Sequence, residues 1–133
     1  MDINVGLYLV RHGETDWNIE SKIQGRTDTE LNEKGRRQAQ ELAAVLKEGY
    51  GIKRIFTSRQ KRAVETAEII GKHLGISPQV KEGLEEINFG KWEGYTWRQV
   101  REFFPKEYRV WHDNRRYGIP PGGESYEQLL DRL

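Results

Sequence analysis

The sequence predicts an α/β domain in which short parallel strands alternate with helices. Three observations carry this prediction. The run Val5-Gly6-Leu7-Tyr8-Leu9-Val10 is almost unbroken in apolar character, as in a strand buried on both faces. Lys53-Arg54-Ile55-Phe56-Thr57 reads as a second short strand. Each run is followed by a stretch with apolar residues at helical spacing, and strand–helix–strand–helix is the grammar of a parallel sheet with crossover helices.

The elements follow in order. After the first strand the chain turns abruptly at Arg11-His12-Gly13-Glu14-Thr15. A helix is expected from about Asn32, because Ala39, Leu42, Ala43 and Leu46 share one face and Gly49 can close it. After the second strand, Ser58 is the expected cap of a helix carrying Ala63, Ala67, Ile70 and Leu74, with Gly75 as its stop. Gln79 to Lys81 reads as an edge strand, and 83–95, rich in glycine and aromatic residues, as a loop. Helical pieces are expected at 96–104 and 106–115, a turn at Ile119-Pro120-Pro121-Gly122-Gly123, and a further helix from Glu124 to Leu133. Two clear strands and a third short one fall below the usual five or six per sheet, so the chain reads as the first portion of a domain.

Composition narrows the function. The 133 residues fit one domain, taken as 1–133. Hydrophobic residues make up 35%, and no run approaches the roughly 18 apolar residues of a spanning helix, so no membrane association is expected. The 4 Trp, 6 Tyr and 4 Phe can anchor a core, which excludes a disordered chain. With 22 basic and 21 acidic residues the net charge is +1, which is not the footprint of a nucleic-acid-binding domain. Any anion must be met by local positive charge. The absence of cysteine excludes disulfides, thiolate zinc sites and a cysteine nucleophile. With only His12, His73 and His112, no metal site is expected. Met1-Asp2-Ile3-Asn4 has no basic signal-peptide start, so a cytoplasmic location is expected.

Three places can carry chemistry. His12 follows the first strand directly, at the carboxyl end of the sheet, where open α/β folds bind ligands. Arg11 beside it offers a planar fork for two phosphate oxygens, and Gly13 would let the backbone approach a ligand. Arg62 falls in the first turn of its helix, at a helix N-terminus suited to anions, so it can converge with His12 on one crevice. The third place is Leu84-Glu85-Glu86-Ile87-Asn88-Phe89-Gly90-Lys91-Trp92-Glu93-Gly94, where a carboxyl can serve as an acid. Composition does not choose among Glu85, Glu86 and Glu93. His73, near a helix end, suits the last carbonyls of its helix, and His112 lies in a polar segment.

Together these blocks resemble the histidine phosphatase superfamily, the group that includes cofactor-dependent phosphoglycerate mutases. Leu7-Tyr8-Leu9-Val10-Arg11-His12-Gly13-Glu14-Thr15-Asp16-Trp17-Asn18 is similar to its signature. Gln24-Gly25, with Thr27-Asp28 and Leu31-Asn32-Glu33-Lys34-Gly35, is similar to a second block, and Thr57-Ser58 with Arg62-Ala63 and Thr66-Ala67 to a third. Leu84-Glu85-Glu86 with Gly90 and Trp92-Glu93-Gly94, then Pro121-Gly122-Gly123-Glu124-Ser125, complete five ordered blocks.

The resemblance implies a three-layer α/β/α domain with a mostly parallel sheet, of the phosphoglycerate mutase type and incomplete in this chain. It implies His12 as the nucleophile, Arg11 and Arg62 as phosphate ligands helped by Asn18, Glu86 as proton donor, and Gln24 and Gly25 as pocket lining. No metal or cofactor is implied. The family's second histidine, on a later strand, has no counterpart here, so a fragment is expected, with an apolar sheet edge open to self-association. A small phosphorylated metabolite is the implied partner and a phosphomonoester phosphatase the implied activity. Arg115 and Arg116, before Tyr117-Gly118-Ile119-Pro120-Pro121, resemble a mutase pair, which keeps a phosphoglycerate mutase as the alternative. A catalytically impaired fragment or a module that only binds a phosphorylated ligand is the alternative of another class.

Overall fold

The computed structural model describes residues 6–133. Eight regular elements follow one another: α1 (Asp16–Ile19), α2 (Glu33–Lys47), β1 (Phe56–Thr57), α3 (Lys61–Leu74), β2 (Gln79–Val80), α4 (Trp97–Phe103), α5 (Pro105–Asp113) and α6 (Tyr126–Arg132). A 3-10 turn covers Gly90–Trp92.

β1 and β2 pair in parallel, Phe56 opposite Gln79 and Thr57 opposite Val80. Gln79 N–H donates to Ile55 O and Lys81 N–H to Thr57 O, both at 2.9 Å. With α3 between them they form the βαβ unit that the sequence predicts. The expected first strand is not formed over residues 6–10, and its Val5 lies outside the described residues. An inner parallel strand is held by hydrogen bonds to neighbours on each side, and none pairs with 6–10 among the described residues. Leu7 and Leu9 accordingly stay 71% and 89% exposed.

The helices start and stop for local reasons. Asn32 caps α2, its side chain accepting from Gly35 N–H, and Gly75 ends α3 in the left-handed region at φ 70°. Ser58 is not the cap of α3. The cap position is Gln60, without a side-chain cap bond, and Asp28 Oδ1 accepts the Lys61 N–H at 2.7 Å from a distant loop. This tertiary cap frees the Gln60 side chain for the site. α1, which the sequence reading missed, is one turn closed by a Thr15–Asn18 capping box.

Two apolar clusters hold these elements. Ala43, Leu46 and Ile70, flanked by Leu42, Ile55 and Leu74, join α2, α3 and the sheet. Ile23, Ile87, Phe89, Trp92, Val100 and Trp111 form an aromatic core under α4 and α5. Trp97 stacks on Trp111 at 5.1 Å, and Trp92 meets Trp111 edge to face at 5.5 Å. Tyr126 and Leu129 dock α6 on this core.

Candidate active site

The His12 loop is pinned from both sides. Gly13 N–H donates to Thr66 Oγ1 on α3 at 3.1 Å, and that hydroxyl donates to Arg62 O at 2.7 Å. On the other side Gly13 lies against Gly35 in the first turn of α2. A Cβ on either glycine would collide with the backbone of the facing loop or turn. The sequence reading gave Gly13 to ligand approach, whereas its missing side chain admits α2. Gly35→Ala is therefore expected to destabilise the protein by about 2 kcal/mol, although alanine exceeds glycine in helix propensity by about 1 kcal/mol. Urea denaturation measures it, and a stabilised variant would contradict the close packing.

His12 Nδ1 lies 2.6 Å from Gly13 O. A carbonyl can only accept, so Nδ1 carries the proton and Nε2 keeps its lone pair. Burial lowers the His12 pKa from the usual 6.5; the Gly13 hydrogen bond and Glu86 oppose this, while Arg62 and Arg11 add to it. The ring is thus held neutral at neutral pH. It opens on a groove of about 670 Å³ lined by Arg11, His12, Asn18, Gln38, Leu42 and Thr66.

Arg62, in the first turn of α3, is only 1% exposed. Its Nη1 donates to Thr27 O and its Nη2 to Gly25 O, both at 2.7 Å, while Nη2 also reaches Glu86 Oε2 at 2.8 Å. Neither Arg62 nor Glu86 lines the groove on which His12 opens; Arg62 is joined to the His12 loop through Thr66, whose hydroxyl links Gly13 N–H to Arg62 O. Gln60 strengthens the junction of Arg62 with Gly25 and Glu86. Its Nε2 donates to Gly25 O at 2.7 Å, and its Oε1 accepts the Glu86 N–H at 3.2 Å. Gly25 itself needs glycine: its φ is 53°, and a Cβ would run into the Glu93 carboxylate. Gln24 Oε1 accepts the Thr15 hydroxyl at 2.8 Å, tying this loop to the turn after His12.

The three acidic candidates separate cleanly. Glu93 accepts Arg26 N–H, Thr27 N–H, the Thr27 hydroxyl and Phe89 N–H, so it staples two loops. Glu85 is 4% exposed and bound to Arg59 and Gly83 N–H. Burial would raise its pKa, but the backbone N–H groups of Glu85 and Gly83 and the Arg59 guanidinium outweigh this and lower it. Glu86 is 42% exposed at its side chain, and Arg62 is its one side-chain hydrogen-bond partner among the described residues. Of the three, Glu86 alone has its carboxylate uncommitted to loop structure.

Asn18 lines the groove; its Oδ1 accepts Thr15 N–H at 2.9 Å, and among the described residues its side-chain Nδ2 makes no hydrogen bond. Arg11 is exposed on the groove wall. Arg115 and Arg116 do not line it. Arg115 stacks over Trp111 at 4.9 Å, and Arg116 faces Glu127 at 3.7 Å and the Tyr117 ring at 5.3 Å. His73 Nδ1 meets Ile69 O within its own helix, and His112 sits beside Asp113 on the surface. Sequence reasoning missed Gln60, Thr66, Glu124 and Arg132. Thr66 and Glu124 belong to blocks that resemble the family, but nothing local marks Gln60 or Arg132, whose backbone partners lie 26 or more residues away.

The family model for the histidine phosphatase superfamily (branch 1) matches residues 7–133. Phosphoglycerate mutase-like protein 4 of Arabidopsis thaliana is 41% identical over 128 residues, 95% of this chain and 56% of the relative. The metal-independent phosphoserine phosphatase of the same plant is 38% identical over 129 residues, 95% of this chain and 54% of its own length. Among solved structures, a mycobacterial glucosyl-3-phosphoglycerate phosphatase in complex with VO3 superposes with a TM-score of 0.82 at 36% identity, covering 91% of this chain and 57% of that one. The α-ribazole phosphatase of Shigella flexneri gives 0.83 at 28% identity, covering 92% and 60%. The chain thus spans little more than half the length of these relatives. They share the α/β fold predicted from the sequence.

Proposed function

The chain belongs to the histidine phosphatase superfamily (branch 1), and from that membership we propose that the protein is a phosphomonoester phosphatase acting through a phosphohistidine on a small phosphorylated metabolite. The observation that carries this is His12: a neutral imidazole with Nδ1 committed to a carbonyl, Nε2 left as a lone pair, and two arginines and a carboxylate acting on it. Phosphatase names among the relatives support the same reading.

The steps balance with the residues present. Arg11, Arg62 and the Asn18 amide bind the equatorial phosphate oxygens and neutralise their charge. His12 Nε2 attacks phosphorus; the N–P bond forms as the ester P–O bond breaks. The incoming dianion displaces the Glu86 carboxylate from Arg62; Glu86 takes up a proton from solvent in that complex and gives it to the leaving oxygen as the P–O bond breaks. Water then attacks the phosphohistidine, returns a proton to Glu86, and inorganic phosphate leaves as the N–P bond breaks. Gln24 and Gly25 shape the wall behind Arg62. A cytoplasmic location, where small phosphorylated metabolites are made, goes with this reading.

Two other readings are weaker. A mutase would use cationic side chains for a second phosphate, but Arg115 is stacked over Trp111 and Arg116 faces Glu127 and the Tyr117 ring. A module that only binds phosphate has no need for a tautomer that exposes Nε2. Incubated with alkyl and aryl phosphate monoesters without a bisphosphate primer, the protein is expected to release inorganic phosphate. The acid limb of its kcat/KM profile is expected below pH 6.5, since His12 stays neutral to lower pH than a free imidazole. A primer requirement would favour the mutase, and an acid limb above that value would contradict a neutral His12.

A further inference from the structure

We propose that Arg132 on α6, held by Glu124, is a positioning residue that sets where the Glu86 carboxyl stands; this rests on the reading of Glu86 as proton donor. The segment 83–88 has no helix or ladder to hold it. Arg132 takes over that task. Its Nη1 donates to Gly83 O at 2.5 Å, and its Nη2 donates to Glu85 O at 2.8 Å and Glu86 O at 3.2 Å. One rigid guanidinium thus fixes three carbonyls of the loop relative to one another, which a lysine ammonium on a flexible stem cannot do.

Glu124 in turn orients Arg132. Its Oε2 accepts from Arg132 Nε at 3.2 Å and its Oε1 from Nη2 at 2.7 Å, while Oε1 also accepts Asn88 N–H at 2.9 Å. The Arg132 hydrogen bonds lower the Glu124 pKa against the opposing effect of burial. The turn that carries Glu124 is itself locked to the loop, because Glu124 N–H donates to Asn88 O at 2.9 Å and Gly123 leaves no room for a side chain there. A Ser125–Gln128 capping box then starts α6 and brings Arg132 back over the same carbonyls.

Glu86 is therefore held through both its backbone N–H and its carbonyl. Gln60, the cap residue of α3, holds its N–H, and Arg132 of α6, with Arg26 Nε at 3.2 Å, holds its carbonyl. The side chain is left with Arg62 as its partner. Arg132 bonds to none of the residues that line the His12 groove; its partners are Glu124 and the 83–86 loop.

A donor of protons matters only for leaving groups that need one. The test compares an alkyl phosphate, whose alkoxide must be protonated, with p-nitrophenyl phosphate, whose nitrophenolate leaves unaided. Wild type, Arg132→Met, Arg132→Lys, Glu124→Gln and Glu86→Gln are assayed on both. Arg132→Met is expected to lower the single-turnover rate of phosphoenzyme formation from the alkyl ester about ten- to a hundredfold, with KM and the same rate from the nitrophenyl ester within about threefold; this leaving-group-dependent step is the one compared throughout. Arg132→Lys and Glu124→Gln should lose the alkyl ester in the same direction, by less. In Glu86→Gln the Arg132→Met change should have no further effect, since the two act as one unit. Equal loss on both esters, or no loss while Glu86→Gln remains selective, would overturn the role of Arg132 and leave Glu86 as the donor. If Glu86→Gln itself shows no alkyl-selective loss, the reading of Glu86 falls and this inference with it. If Arg132→Met does not fold by circular dichroism, Glu124→Gln decides by the same ratio.

Discussion

Arg62→Ala is expected to damage stability and turnover together. The guanidinium is buried and supplies donors to Gly25 O and Thr27 O, two carbonyls of a loop with no regular structure. An unsatisfied buried carbonyl costs about 1–3 kcal/mol, and the relief of burying a cation offsets part of the sum, so a net loss of about 2–4 kcal/mol is expected. Gln60 still serves Gly25 O, which sets the lower end of that range. The same substitution removes a phosphate ligand and the partner that orients Glu86. The fall in kcat/KM should be at least about a hundredfold. Urea denaturation and steady-state kinetics on one preparation measure both. An unchanged midpoint would mean the loop is held by other means.

His12→Ala should have the larger effect on rate. Asn18, Arg11 and Arg62 remain to bind the ester, so KM should change little. The covalent step is lost, and turnover should fall by about three to four orders of magnitude or more. The fold should tolerate the change, because the ring makes one local hydrogen bond, to its own neighbour, and is half-buried. Intact near-ultraviolet circular dichroism with activity gone separates this outcome from misfolding. A variant that keeps a tenth of its turnover would show that His12 is not the nucleophile.

Much of the fold was legible because its signals are local. The spacing of Ala39, Ala43 and Leu46, and of Ala67 and Ile70, belongs to one helix at a time, and Gly75 ends α3 by its own backbone freedom. What failed depends on partners far along the chain. The run from Gly6 to Val10 has the composition of an inner strand, but a strand exists only through neighbours, and none is paired with it among the described residues. Ser58 has the chemistry of a cap, yet Asp28 from another loop takes the work.

The site divides in the same way. Arg62 was legible as a first-turn residue of the helix after β1, whereas His12 was singled out by its place after an apolar run that forms no strand among the described residues. Composition did not separate Glu86 from Glu85 and Glu93, and only the resemblance singled it out; the structure adds that Glu85 and Glu93 are taken up by backbone donors across loops. Gln60 and Arg132 have side chains of ordinary surface type. Their importance lies in the carbonyls they meet at residues 25, 83, 85 and 86.

The most direct test of a nucleophilic His12 is to quench the protein during turnover of a 32P-labelled phosphate ester and locate the label. The account predicts one acid-labile, base-stable phosphoramidate on His12, absent from His12→Ala. A turning-over protein that carries no such label, or a label that persists in His12→Ala, would contradict it.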